Sequence, residues 1–375
     1  MPSIQREFLM IPGPTPVPDR VLAALAKHPI GHRSPDFSDI LMESIAGLKW
    51  LGDTENEPLI LASSGTGGMD GAIANTVNRG DKVLSLVCGV FGERFAKIAE
   101  AYGADVTRIT AEFGKPIDPQ AVRDALAKDT KKEIKAVTIT HNETSTGVIN
   151  DLETIAGIIK EHGALSLVDA VTSFGATPVP IDAWGLDIVV TGSQKALMLP
   201  PGLGFAFVSE KAWKAVESCS NPRFYLDFRK YLKSQRERTT PFTPNVSFVV
   251  ALVESIKMMK EEGKDEIFKR HVGLRETLRK GVRELGLKPC VDDAHASPSI
   301  TSIYPPDSTD VPAIRKALKE RFRITVADGQ EELKGKIFRM GHMGYVFERD
   351  IGMALYALKE VIGQPAKAKT EAVAK

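Results

Sequence analysis

Two short apolar segments constrain this chain more than anything else in it. Residues 165–168 (Leu-Ser-Leu-Val) run into Asp169, and residues 187–191 (Asp-Ile-Val-Val-Thr) run through Gly192-Ser193-Gln194 to present Lys195. Each is too short for a helix and rich enough in aliphatic residues to be a strand covered on both faces, as in a parallel sheet. Open α/β sheets bind ligands at the carboxyl edge of their strands. Two such strands, each delivering one ionisable side chain, therefore predict a site at that edge with Lys195 and Asp169 in it. A lysine after a strand is ordinarily a solvated surface residue. Here the flanking Ser193-Gln194 and Pro200-Pro201-Gly202 are polar and turn-forming where a surface loop would often be charged.

The same rhythm extends over most of the chain. Strands are expected at 59–62, 82–87, 105–109, 134–140, 165–168, 187–191 and 204–208. Helices at 19–27 and 37–51 precede them, and helices at 69–77, 93–102, 119–127 (Asp118 as cap) and from Asp151 to about 162 fall between them. This alternation indicates a mostly parallel sheet sandwiched by helices. The rhythm breaks near Ser209. Residues 231–238 are charged and 239–245 form a proline-punctuated loop. A long helical stretch from 247 is interrupted at Gly263 and resumes over 265–285. Strand 299–304, helix 311–322, strands 323–327 and 336–340, and helix 349–362 follow. The expected architecture is thus α/β: a large domain, 19–262, and a smaller α+β C-terminal domain, 263–362. Residues 1–18, with Pro12-Gly13-Pro14-Thr15-Pro16-Val17-Pro18, form an extended arm, and 363–375 form a disordered tail.

The composition narrows the function. With 49 Lys and Arg against 48 Asp and Glu the net charge is +1, which argues against nucleic acid or a membrane surface as the main partner. No apolar run approaches the ~20 residues of a membrane span, and no signal-peptide pattern opens the chain. Cys88, Cys219 and Cys290 are odd in number and far apart, without CxxC spacing. A reducing, cytoplasmic setting and no structural metal site are expected. Ser63-Ser64-Gly65-Thr66-Gly67-Gly68 joins a strand to a helix, a small-residue turn suited to an anion such as phosphate. It is not a P-loop, since no Gly-Lys-Ser/Thr follows.

An amine, a buried carboxylate and an anion turn suit pyridoxal 5'-phosphate (PLP). Lys195 would form a Schiff base with its aldehyde, and Asp169 would keep its pyridine nitrogen protonated. At this point the chain resembles a known family. Ser-Gly-Thr-Gly after a strand, Asp169 in Val-Asp-Ala-Val-Thr-Ser, and Gly-Ser-Gln-Lys-Ala-Leu look like a class V, fold-type I PLP-dependent aminotransferase. Pro-Gly-Pro-Thr-Pro, His-Asn-Glu-Thr-Ser-Thr-Gly-Val and Phe-Arg-Met-Gly-His-Met-Gly carry the likeness over nearly the whole chain. The nearest branch is that of alanine–glyoxylate and serine–glyoxylate (serine–pyruvate) aminotransferases, some of whose bacterial members are labelled soluble hydrogenase small subunit. The cysteines give no physical support for a hydrogenase metal site.

The resemblance assigns roles. Ser64, Gly65, Thr66 and Gln194 would hold the cofactor phosphate, Phe91 would stack on the ring, and Thr144 would lie near the ring's 3′ oxygen. Thr240 and Thr243 would reach the phosphate of a neighbouring subunit, making a homodimer with shared sites. Arg339 and Gly13 would bind a small amino acid or 2-oxo acid. Each has a plainer alternative: Phe91 as core, Thr243 as a loop cap, Arg339 paired with a surface acid. His141, His342 and Cys88 read as structural. Competing activities are ureidoglycine–glyoxylate or 2-aminoethylphosphonate–pyruvate transamination, cysteine desulfuration, and a non-catalytic scaffold.

Overall fold

A computed structural model describes residues 7–306 and 310–363; most of the expected tail lies outside them. Seven strands form the central sheet. In spatial order they are Pro58–Leu61, Gly204–Val208, Ile188–Gly192, Leu165–Asp169, Ile134–Thr140, Lys82–Val87 and Asp105–Thr110. All run parallel except Gly204–Val208, which is antiparallel to both neighbours. The aspartate strand (Leu165–Asp169) and the lysine strand (Ile188–Gly192) are adjacent and central, and every residue in them is buried. Their apolar runs lack alternation because helices cover both faces. One core contains Phe174, Val189 and Phe205, the other Leu167, Val190 and Phe228.

The two key strands share a polar clamp at their start. Asp187, 5% exposed, accepts hydrogen bonds from Ser166 N (3.0 Å), Ser209 Oγ (2.9 Å) and Lys211 Nζ (3.0 Å). Its own N–H donates to Ser166 Oγ (2.8 Å). The pairing Leu167↔Ile188, Val168↔Val189, Asp169↔Val190 is fixed by this clamp and brings Asp169 and the turn to Lys195 to the same edge.

A second sheet orders Phe8–Met10, Ile324–Asp328, Phe338–Gly341, Ile300–Tyr304 and Lys288–Pro289. Its core gathers Met10, Leu274, Leu278, Phe338 and Ile351. Phe8–Met10 was read as arm, yet it pairs in parallel with Ile324–Asp328. That strand is three residues long and carries no sequence period. Two further helices, Glu210–Ser218 and Phe228–Arg236, occupy the stretch where the rhythm appeared to break. Ser209 caps the first by accepting from Ala212 N (3.1 Å); the second buries Phe228 and Tyr231 and exposes its charges. The long helical stretch divides at Gly263 into Val246–Glu262 and Lys264–Glu284, as expected. No described helix is long and apolar enough to cross a membrane.

Asp187→Ala leaves buried donors without an acceptor, which costs about 1–3 kcal/mol. Urea denaturation is expected to show a lower midpoint at an unchanged slope, the product of shift and slope equalling that loss. An unchanged midpoint would mean that the clamp contributes nothing to strand register.

Candidate active site

The lysine strand ends at Gly192, and the turn beyond it is tied down from within. Ser193 N–H donates to Leu203 O (2.9 Å), and Ser193 Oγ donates to Pro200 O (2.7 Å) while accepting from Leu203 N (3.1 Å). Lys195 therefore projects from a fixed base. Its amine donates to Pro12 O at 2.5 Å, and Thr15 Oγ1 donates to Lys195 O at 2.9 Å. The proline-rich segment thus crosses its own chain's lysine. Gly13, at φ +130, lies so close that a Cβ there would sit 2.5 Å from the amine. Only glycine fits that conformation and that space.

Burial drives the charges of the site. The Lys195 amine is lowered to about 8, chiefly by burial, with Arg339 and Arg94 adding repulsion and Asp169 opposing it. Asp169, 3% exposed, is pushed up to about 6, again by burial first; the Val171 N–H that its Oδ1 accepts (2.9 Å) pulls the other way, and Glu143 pushes further up.

Around this pair the chain forms one cleft, lined by Ser64, Gly65, Thr66, Phe91, Thr144, Asp169, Gln194 and Lys195, together with Arg94 and Asn142. Eight of the expected residues are thus brought together. The helix Gly65–Thr76 starts at the cleft, four residues before the expected start, and Ser64 provides no side-chain cap. The first-turn N–H groups of a helix have no acceptor within it, and here that turn begins at residues that line the cleft. Gln194 Oε1 and Asn142 Oδ1 are buried without partners. A polar group bound in the cleft would satisfy them.

Arg339 arrives from the second sheet. It is 7% exposed, and its Nε donates to Asp328 O (2.7 Å) and its Nη1 to Thr144 O (2.8 Å) and Gln330 Oε1 (2.9 Å). Burial lowers it to about 10, partly offset by Glu143 and Asp328. These contacts are to a side-chain amide and carbonyls, so the guanidinium keeps its charge uncompensated by a direct carboxylate. Gly13 and Arg339 reach the site from outside the cleft lining itself.

Thr240 and Thr243 are elsewhere. They line a separate hollow with Leu203, Tyr225 and Phe242, and Thr240 Oγ1 donates to Phe242 O (2.8 Å) as a loop cap. Beside them Phe224 is 71% and Tyr225 44% exposed. His141 and His342 are buried and lowered to about 4 and about 3 by desolvation, which suits structural roles. Cys88 and Cys290 are pushed up to about 12 by burial, and no cysteine lines the cleft among the described residues.

Sequence reasoning missed Arg94, Asn142 and Glu143. Arg94 lies 4.6 Å over the Phe91 ring and donates to Thr66 Oγ1 (3.3 Å). Its signal was available, since it stands one helical turn after Phe91.

Fold and site together define an α/β transferase built around one enclosed lysine amine. The pattern of the family described as Aminotransferase class-V matches residues 8–344, and the chain belongs to the class V aminotransferase family. It is 49% identical to the "Soluble hydrogenase, small subunit" of Synechococcus sp. over 96% of this chain and 94% of that one. It is 36% identical to the serine–glyoxylate aminotransferase of Methylorubrum extorquens, covering 90% and 87% of the two chains. The crystal structure of an alanine–glyoxylate aminotransferase from Nostoc sp. superposes with a TM-score of 0.92 at 32% identity, over 96% of this chain and 97% of the other. The chain is an aminotransferase.

In cofactor-free protein, arylation of Lys195 by trinitrobenzenesulfonate is expected to rise with pH around a midpoint of about 8. A midpoint near the ordinary lysine value would show that the amine is not desolvated.

Proposed function

We propose that this chain transfers an amino group from alanine or serine to glyoxylate or pyruvate, with PLP held in the Lys195 cleft. One observation carries the reading. A lysine amine close to neutrality shares a cleft with a buried carboxylate and an uncapped helix start, while an arginine without a carboxylate partner stands beside them. The relatives named for serine and alanine with glyoxylate support the substrate class.

The residues present fit the cofactor. Gly65 and Thr66 at the helix start, with Ser64 and Gln194, would hold its phosphate. Phe91 would cover the ring, Thr144 would face its 3′ oxygen, and Asp169 would hold a proton at its pyridine nitrogen. When bound, PLP supplies the aldehyde and the electron sink.

The chain's own residues do the rest. Arg339 offers the donor's α-carboxylate the N–H groups of Nη2, the guanidinium nitrogen its three contacts leave open, in a charge-assisted pairing. Three contacts already fix its orientation, so little side-chain entropy is lost. Lys195, readily neutral, takes the proton from the donor's Cα and returns it at the cofactor's C4′ carbon. Pro12 and Gly13 lie across the amine and shield it on that side. Asp169 keeps its charge through its hydrogen bond from Val171 and the nearby cations. A desulfurase would need a mobile thiol in the cleft, whereas Cys88 is fully buried and accepts from Asn150 Nδ2 (3.2 Å).

The functional unit in this reading is a cytoplasmic homodimer in which Thr243, with Thr240 shaping its loop, completes the partner's phosphate site. The exposed Phe224 and Tyr225, the latter stacked on Phe242 at 5.0 Å, give that loop an apolar surround suited to a second copy.

Purified protein tested with alanine and serine against glyoxylate and pyruvate is expected to turn over with ping-pong kinetics. Lys195→Ala is expected to abolish turnover with every pair, and Arg339→Ala to cost about 2–5 kcal/mol in kcat/KM for the donor. Absence of turnover with all pairs in the wild type, or retained activity in Lys195→Ala, contradicts the reading. Mixing Lys195→Ala with a PLP-retention-defective Thr243 variant tests the shared site: exchange of subunits should restore activity, and its failure to do so after confirmed exchange would leave each site to one chain.

A further inference from the structure

The helix Val90–Ala101 carries Phe91 and Arg94 into the cleft, yet the residue before it, Gly89, has no side chain to cap it. The cap comes from a distant segment. Glu143, fully buried, accepts from Phe91 N (3.0 Å) and Gly92 N (3.1 Å) with one oxygen, Oε2. Its other oxygen, Oε1, accepts from Ser145 N (3.0 Å) and Ser145 Oγ (2.6 Å), and Ser145 Oγ in turn accepts from Val90 N (3.0 Å). A Cβ at position 89 would lie 2.5 Å from Glu143 Cδ and 2.4 Å from Ser145 Oγ, so the missing side chain makes room for the foreign cap. The peptide whose Ser145 N–H bonds Glu143 turns its carbonyl the other way: Thr144 O accepts from Arg339 Nη1 at 2.8 Å.

A buried carboxylate needs strong compensation. Four donors and the positive end of a helix supply it here without a directly bonded cation. No other residue type matches the pattern. A glutamine has one acceptor oxygen, so its amide N–H₂ would face either the two helix N–H groups or the Ser145 donors.

We propose that Glu143 is a positioning residue for the reaction: its carboxylate sets Phe91 by capping the helix that bears it and, through the Thr144 peptide, sets Arg339. The inference rests on the transaminase reading above. It couples the group that covers the cofactor ring to the group that grips the substrate carboxylate, so that one turn, 142–145, registers both to the Lys195 edge. The same turn is anchored there, because His141 N donates to Asp169 O at 2.9 Å.

The test compares wild type with Glu143→Gln and, as a milder lesion that keeps the carboxylate, Ser145→Ala. Three quantities are read in each: hydrogen exchange at the Phe91, Gly92 and Ser145 amides in cofactor-free protein, PLP affinity by visible titration, and kcat and KM for the amino donor. Glu143→Gln is expected to speed exchange at the Phe91 and Gly92 amides or at the Ser145 amide, whichever donors its N–H₂ comes to face, and to weaken PLP binding, each by about tenfold, for one lost buried hydrogen-bond set. Donor kcat/KM should fall on the order of 100-fold, mostly through KM, as displaced binding groups cost. Ser145→Ala should move all three in the same direction by less, and stands in should Glu143→Gln fail to fold. Unchanged exchange at all three amides overturns the cap. Faster exchange with unchanged PLP affinity and donor KM reduces Glu143 to a stability role and overturns the positioning. A wild type that takes up no PLP overturns the transaminase reading instead, an outcome the variant comparison does not produce.

Discussion

An ammonium group that cannot stay charged cheaply is the constraint on which this structure turns. The Lys195 amine is enclosed at the edge of a central strand, with the Pro12 carbonyl at 2.5 Å and the guanidiniums of Arg339 and Arg94 adding to the burial. Moving a lysine from 10.5 to about 8 disfavours its charged form by about 3 kcal/mol. The same desolvation raises Asp169. Two opposite groups, each pushed toward neutrality, are poised for proton and carbonyl chemistry near physiological pH. Their polar contacts are made by backbone just beyond strand ends, Pro12 after Phe8–Met10 and Val171 after Leu165–Asp169, rather than by mobile surface charge.

The site is assembled from both sheets. The central sheet provides Asp169 and Lys195, the turn after Ile134–Thr140 provides Glu143 and Thr144, and the second sheet provides Arg339. Phe8–Met10 adds a strand to that second sheet and then sends Pro12 and Gly13 across the lysine. Arg339 bonds both to its own sheet, at Asp328 O, and to the central one, at Thr144 O. Arg339 and Lys195 are therefore registered to one another through backbone.

Much of this was legible in the sequence, and the exceptions share a cause. Six of the central strands could be read because burial on both faces leaves largely apolar runs, and the seventh, Asp105–Thr110, an edge strand with no buried residue, could be read only because it continues the alternation of strands and helices. Lys195 and Asp169 stood out because each ends such a run. The helices at 65 and 90 begin earlier than expected, since their starts are Gly-rich and one is capped by Glu143, 51 or more residues away in sequence. Nothing local announces a cap of that kind. Helices Glu210–Ser218 and Phe228–Arg236 were overlooked because charged exposed faces masked a narrow buried stripe. Strand Phe8–Met10 is too short for any period and depends on a partner more than 300 residues away. Thr240 and Thr243 could be singled out only by resemblance, and within one chain they stand apart from the lysine.

The account's central claim is that Lys195 is the residue that carries the cofactor's carbonyl. Borohydride reduction of the protein loaded with PLP, followed by peptide mapping, tests it most directly. The account predicts one phosphopyridoxyl group per chain, on the peptide containing Lys195, with loss of the visible absorbance on reduction. A label on another lysine, or a fully loaded protein that yields none, would contradict it.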